Sequence, residues 1–280
     1  MKITRPLFAL LLVLGLVGHG PALAAEKYRI VAGTELIADI VRDLLPDMTE
    51  LLALVPAASC PGHHDMRASD MAFFTRADLI IIHKWQRGQA GIDDAIGAAQ
   101  LAPHKLKIME NRGSLLVPAK QLAASVELEA FLAQLPGVDR DALARRLAAR
   151  MERIDKLARQ CMTSLAPHAR LPALSAAMQE EFVAWMGLHP VASYGRAEDM
   201  PPGLLMELAK KGREQKVRIV IDNMQSGAEA GLPLARELGV PHVAFSNFPM
   251  FSAETPDYES LLTHNTQMLN QALKAGSREP

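Results

Sequence analysis

The chain is predicted to fold as an α/β protein of two βα lobes, each built on a mainly parallel sheet and joined by one long backbone helix. Three observations predict this. Short β-branched runs alternate with segments of helical periodicity along both halves. The run "LIII" before His83 is apolar without interruption, as suits a parallel strand covered on both faces. Between residues 139 and 165 there is no Pro or Gly, while Leu143, Leu147, Met151, Ile154, Leu157, Cys161 and Leu165 recur at steps of three and four.

Residues 28–32 read as a strand, 34–45 as a helix capped by Thr34 with Leu36, Ile37, Ile40, Val41 and Leu44 on one face, and 51–55 as the next strand. A short helix over 69–76, capped by Ser69, leads to strands over 78–83 and 105–109. Pro136-Gly137 precedes the long periodic stretch and Pro167 ends it. Roughly 27 residues at about 1.5 Å each span about 40 Å, more than a crossover within one small sheet requires. The stretch therefore reads as a strut between lobes. Beyond it, strands are expected over 171–174, 191–194, 217–221 and 242–245, with helices over 178–186, 203–211, 228–238 and 258–275. The expected division is a leader over 1–24, a first lobe over 25–138, a linking helix over 139–167 and a second lobe over 168–280.

The 280 residues are 49% hydrophobic, enough for a substantial core, and carry 30 basic against 31 acidic side chains. A net charge of −1 leaves no surplus to hold a polyanion, so nucleic-acid binding is excluded as a default. At the N-terminus Lys2 and Arg5 precede an apolar run, and Ala22-Leu23-Ala24 supplies small residues where a signal peptidase cleaves. The mature protein is expected to be soluble and exported, and no cysteine follows the leader to take a lipid. An oxidising compartment permits a Cys60–Cys161 disulfide without requiring one, and Cys161 falls on the buried stripe of the strut.

In open α/β sheets ligands bind beyond the carboxyl ends of strands. Four segments sit there: "CPGHHDM" from Cys60, "HKW" from His83, "DNMQSG" from Asp222 and "SNFPM" from Ser246. Cys60, His63, His64, Asp65 and Met66 bring thiolate, imidazole, carboxylate and thioether within seven residues, a set able to hold a borderline or soft transition metal. His83 ends an isoleucine strand, so it either pairs with a backbone acceptor or faces a cleft. Trp85 follows it and is placed to flank a ligand. Asn223, Gln225, Ser226 and Asn247 are neutral hydrogen-bonding groups that suit an organic ligand or a metal chelate.

The strand "YRIVAG", the Pro/Gly/His/Asp loop, "SDMAFFTRADLIII" and, in the second half, "GLHPVASYG" followed by "KVRIVIDNMQSGAEAGLPLARELGVPHVAF" and "HNTQML" resemble the periplasmic metal-binding substrate-binding proteins of zinc and manganese ABC importers. The resemblance covers essentially all of the mature chain. It implies a metal held between the lobes by three histidines and a carboxylate, each after a strand. His63 or His64 inherits the first place. The second place corresponds to "ENRGSLLVPAK", which has no histidine; the third to "LSAAMQEEF", offering Met178 and Gln179; the carboxylate to Asn247, with Asp222 remaining after the preceding strand. Cys60, His83, Met66, Met178, Asp222 and Met224 are the further donors.

The resemblance implies a monomeric binding protein that delivers a transition-metal ion to a membrane permease with its ATPase. Zinc is the ion by family, with manganese or a softer ion such as copper as alternatives. The other readings are the same scaffold carrying a metal chelate or small organic ligand, and a periplasmic metallochaperone. A metallohydrolase is not expected, since the mature chain has neither an HxH pair nor an HExxH helix.

Overall fold

The computed structural model describes residues 27–63, 66–100, 102–110 and 113–276. The leader expected over 1–24 lies outside them. Two four-stranded parallel sheets form separately. The first contains β1 (Tyr28–Thr34), β2 (Thr49–Val55), β3 (Leu79–His83) and β4 (Leu106–Met109) in the order β2-β1-β3-β4. The second contains β5 (Pro172–Ala176), β6 (His189–Tyr194), β7 (Ile219–Asn223) and β8 (His242–Phe245) in the order β6-β5-β7-β8. The two halves thus repeat one topology. Register aligns the strand ends: Thr34 with Val55, His83 with Met109, Ala176 with Tyr194 and Asn223 with Phe245.

Helices cover both faces, as continuous apolar strands require. In the first half these are α1 (Glu35–Leu44), α2 (Ala68–Phe74), α3 (Ala90–Ala99) and α4 (Pro118–Leu132). The strut is α5 (Arg140–Leu165), and Asp139 caps it by accepting from the backbone N–H of Asp141 and Ala142 at 3.0 Å. In the second half α6 (Glu180–Trp185), α7 (Pro202–Glu214), the single turn α8 (Met224–Gly227) and α9 (Leu232–Leu238) precede the last helix, α10 (Tyr258–Gly276).

The sequence pattern does not announce α3 or α4. In α3 two glycines and two aspartates dilute the helical signal. In α4 polar Gln121 and Ser125 are buried together with Leu122, Leu128 and Leu132, which blurs the apolar stripe. Two expected caps also differ. Thr34 sits at the start of α1 without capping it, because its hydroxyl bonds His83 instead. The short helix begins after Arg67 rather than Ser69, with Asp70 accepting from the Arg67 backbone N–H at 3.1 Å.

One core runs through both lobes. Ile30, Ile37 and Ile81 of the first half and Ala173, Phe182, Ile221 and Phe245 of the second join Leu143, Ile154, Cys161 and Leu165 of the strut and Tyr258, Leu261 and Leu269 of α10. Both cysteines are free, Cys161 within this core.

At its middle the strut carries charge into that core. Arg150 is 1% exposed and donates to Asp39 Oδ2 at 2.7 Å, Asp43 Oδ2 at 3.0 Å and Ser125 Oγ at 3.1 Å. Arg153 joins Asp43 at 2.5 Å to Glu259 at 3.1 Å. Tyr258 of α10 donates its backbone N–H to Asp39 at 3.0 Å and its hydroxyl to the Leu116 carbonyl at 2.7 Å. First lobe, strut and last helix are therefore fastened at one point. Burial pushes the Asp39 carboxyl up to about 6, while Arg150 and the Tyr258 N–H pull it the other way.

Candidate functional site

Segments that follow the carboxyl ends of strands in the two sheets meet in a seam between the lobes. On the first lobe His83 is 2% exposed, with Nε2 2.7 Å from Thr34 Oγ1 and its ring stacked on Trp85 at 5.3 Å between centroids. Buried Gln86 ties the neighbouring strands by accepting from the His83 backbone N–H at 3.0 Å and donating to the Gly33 carbonyl at 3.0 Å. Gly33 is required here, since a Cβ would fall 1.9 Å from Gln86 Oε1. His83 is thus a buried, partnered residue, and Trp85, 43% exposed, is the face it offers outward.

The segment after β2 passes through Ala57 and Cys60 into a turn at Pro61–His63. His64 and Asp65 lie outside the described residues. Met66 packs partly against the outer core of the first lobe. Two residues of the second lobe reach across to this segment. Arg196, two residues beyond β6, donates to Cys60 Sγ at 3.0 Å. Gln225 of α8 donates to the Ala57 carbonyl at 2.7 Å.

The second lobe presents a floor of amides. Asn223 caps α8 by accepting from the Gln225 backbone N–H at 3.2 Å and donates to Ser226 Oγ at 2.5 Å. Gln225 also donates to Ser246 Oγ at 2.9 Å and accepts from the Asn247 backbone N–H at 2.9 Å. Asn265 of α10 holds the Ser246 backbone from both sides, at 3.2 and 3.0 Å. Gln179 donates to Asn247 Oδ1 at 2.8 Å, and its own side-chain oxygen is buried without a partner. Met178 and Met224 stand out from this floor, 65% and 40% exposed. Beside it Glu181 of α6 pairs with Lys120 and accepts from the Ser114 backbone N–H at 2.6 Å, a further tie between the lobes.

Asp222 points away from the seam. It is fully buried and its oxygens accept from Tyr194 Oη at 2.8 Å and the Gly231 backbone N–H at 3.0 and 2.9 Å, while His242 Nε2 lies 2.5 Å away. Burial and the Asp222 charge push the Tyr194 hydroxyl well above its ordinary value. The carboxylate is consumed in holding β7 to β8 and α9. Among the described residues no three His, Cys, Asp or Glu side chains converge as a metal cluster.

The seam therefore unites Cys60, the His63 turn, Gln179, Asn223, Gln225 and Asn247, and leaves Asp222 outside. Sequence reasoning missed Arg196, Glu181 and Gln86. Arg196 and Gln86 each fall within three residues of a strand's carboxyl end, the same rule that selects Cys60 and Asn247, so their positions were a usable signal.

The profile of the family described as zinc-uptake complex component A, periplasmic (ZnuA), matches residues 30–272. The chain belongs to the ZnuA family. Solved structures of ZnuA-type architecture agree. A manganese-bound periplasmic metal binding protein from Candidatus Liberibacter asiaticus superposes with a TM-score of 0.74 at 13% identity, covering 89% of this chain and 100% of that one. A crystal structure of ZnuA gives 0.73 at 16%, covering 89% and 99%. The substrate-binding protein FpvC from Pseudomonas aeruginosa, in complex with Mn2+, gives 0.73 at 17%, also covering 89% and 99%. Among curated sequences no protein matches. The ZnuA family is a periplasmic metal-transport component rather than an enzyme class, and among the described residues no helix is long and apolar enough to cross a membrane. Gln179 and Asn247, both candidates from the sequence, are bonded to each other.

Proposed function

We propose that this protein is the periplasmic substrate-binding component of an ABC importer, capturing a transition-metal ion in the interlobe seam and delivering it to a membrane permease with its ATPase. In this reading residues 1–24 are removed on export, lobes over 25–138 and 168–280 flank the linking helix over 139–167, and the mature protein acts as a monomer without catalysis. The observation that carries it is the meeting of the Ala57–Cys60 segment with the opposite lobe, Gln225 at Ala57 and Arg196 at Cys60, on a ZnuA architecture. Cys60, His63, His64 and Asp65 are the donors, with Trp85 and His83 forming the wall beside them. Imidazole, thiolate and carboxylate suit zinc, while the thiolate together with Met178 and Met224 on the facing floor opens the site to a softer ion such as copper. Manganese would take the carboxylate and imidazole alone.

A second reading is favoured by the amide floor. Gln179, Asn223, Gln225 and Asn247 are neutral hydrogen-bonding groups, of the kind that suit a metal chelate or small organic ligand. Native mass spectrometry with elemental analysis, on protein purified from the periplasm, separates the two. Stoichiometric metal that disappears in Cys60→Ala and in His63→Ala is the expected result. A metal-free protein carrying an organic adduct, unchanged by either substitution, refutes the ion reading.

A further inference from the structure

Glu181 commits both oxygens of its carboxylate to the opposite lobe. Oε1 takes the Lys120 ammonium, and Oε2 accepts from the Ser114 backbone N–H at 2.6 Å. Gly113 makes room for this contact. Its φ of +105° turns the chain into Ser114, and a Cβ there would collide with both the ammonium and the carboxylate. Each half of the contact is seated on packed structure. Next to Glu181 in α6, Phe182 and Val183 are fully buried, and Phe182 stacks on Trp185 and meets Phe245 edge-on. Lys120 lies in the first turn of α4, whose Leu122, Leu128 and Leu132 enter the core. Neither half can follow the other without leaving its packing, so any movement of lobe against lobe at this point breaks the contact.

We propose that Glu181 is an electrostatic latch of the seam: seated on Lys120 and Ser114 it holds the lobes together in the cargo-free chain, and its release lets the seam open as far as Cys60. The exposure of the pair fits a latch rather than a permanent fastening. The Lys120 and Glu181 side chains are 31% and 41% exposed, so water and salt ions can replace each partner at small cost. Arg150 and Asp39 at the strut, 1% and 6% exposed, have no such substitute. The bond from the Ser114 N–H to a charged acceptor adds direction, because it forms only when the two lobes are in register. Opening is therefore sensitive to ionic strength. The latch belongs to the chain itself and holds whether the cargo is a bare ion or a chelate.

The test reads two places along the seam, in protein dialysed against a chelator, for wild type, Glu181→Gln, Glu181→Ala and Lys120→Met. Amide hydrogen exchange of Ser114 reports on the latch. Alkylation of the free Cys60 thiol by neutral iodoacetamide reports on the seam at a distance, where Cys60 lies against Arg196 of the second lobe. Cys161, buried in the core, is the internal check on global unfolding. At low salt Glu181→Ala should exchange Ser114 and alkylate Cys60 about tenfold faster than wild type. Lys120→Met, and Glu181→Gln, which keeps an acceptor for Ser114 without the charge, should fall between the two. Raising the salt to about 1 M should move wild type toward the Lys120→Met rates and leave both Glu181 variants nearly unchanged. Faster exchange at Ser114 with Cys60 unchanged shows a local tie and overturns the latch. Wild-type rates at both positions in all three variants, or a wild type indifferent to salt, also overturn it. So does alkylation of Cys161 rising in step with Cys60, which assigns the effect to loss of the fold.

Discussion

The two sides of the interlobe contact are built from opposite chemistry. Behind, at the strut, Asp39, Asp43, Arg150, Arg153 and Glu259 form a network of charges, and the Arg150–Asp39 pair is buried. In front, at the seam, the floor of the second lobe is made of neutral amides, and two of the ties to the first lobe are the single hydrogen bonds of Gln225 and Arg196. A buried ion pair tolerates little displacement, because separating the charges in a low-dielectric core is costly. An amide exchanges one partner for another, or for water, at much smaller cost. The contrast teaches that the ties hardest to break lie at the strut, and the ties most easily exchanged lie at the seam.

The sharpest way to break this contrast is Arg150→Met. Removing the guanidinium leaves Asp39 and Asp43 facing a core built for their partner, and a loss of about 3–5 kcal/mol in denaturant unfolding at pH 7 is expected. A loss below about 1 kcal/mol would show that the network is not what fixes the lobes. Next comes pH. The Asp39 carboxyl, raised by burial to about 6 from 3.8, contributes stability that is present below about pH 4 and lost as pH rises through 6. Wild type should therefore lose ~2 kcal/mol relative to Asp39→Asn between pH 4 and pH 7, and parallel stability curves would refute the shift. The smallest effect is expected at the front. Gln225→Leu strips the Ala57 carbonyl, Ser246 and the Asn247 N–H of one partner each, at about 1–3 kcal/mol, part of it recovered by water at the seam. A loss as large as that of Arg150→Met would erase the distinction between the two sides.

Much of the scaffold was legible because it depends on periodicity. The stripe from Leu143 to Leu165 and the apolar run before His83 are local patterns, and they located the strut and a central strand. Arg150 was not legible. It interrupts no stripe and acquires its role only through Asp39 and Asp43, more than a hundred residues away. The same holds for Asp222, chosen because it ends a strand yet turned by the alternation of side chains toward Tyr194 and His242. Thr34 illustrates a local rule overridden. A threonine before a helix normally caps it, but here the imidazole of His83 on the adjacent strand competes for the hydroxyl and wins. At the seam the segments were readable and the pairings were not, because spacing says which residues reach the strand ends and nothing about which lobe each side chain crosses to.

The bond from the Tyr258 N–H to Asp39 spans 219 residues of sequence. It joins α1, the first helix among the described residues, to α10, the last. The charged heart of the molecule is closed by a contact of very long range, so the buried carboxylate of α1 acquires its full set of partners only when α10 docks.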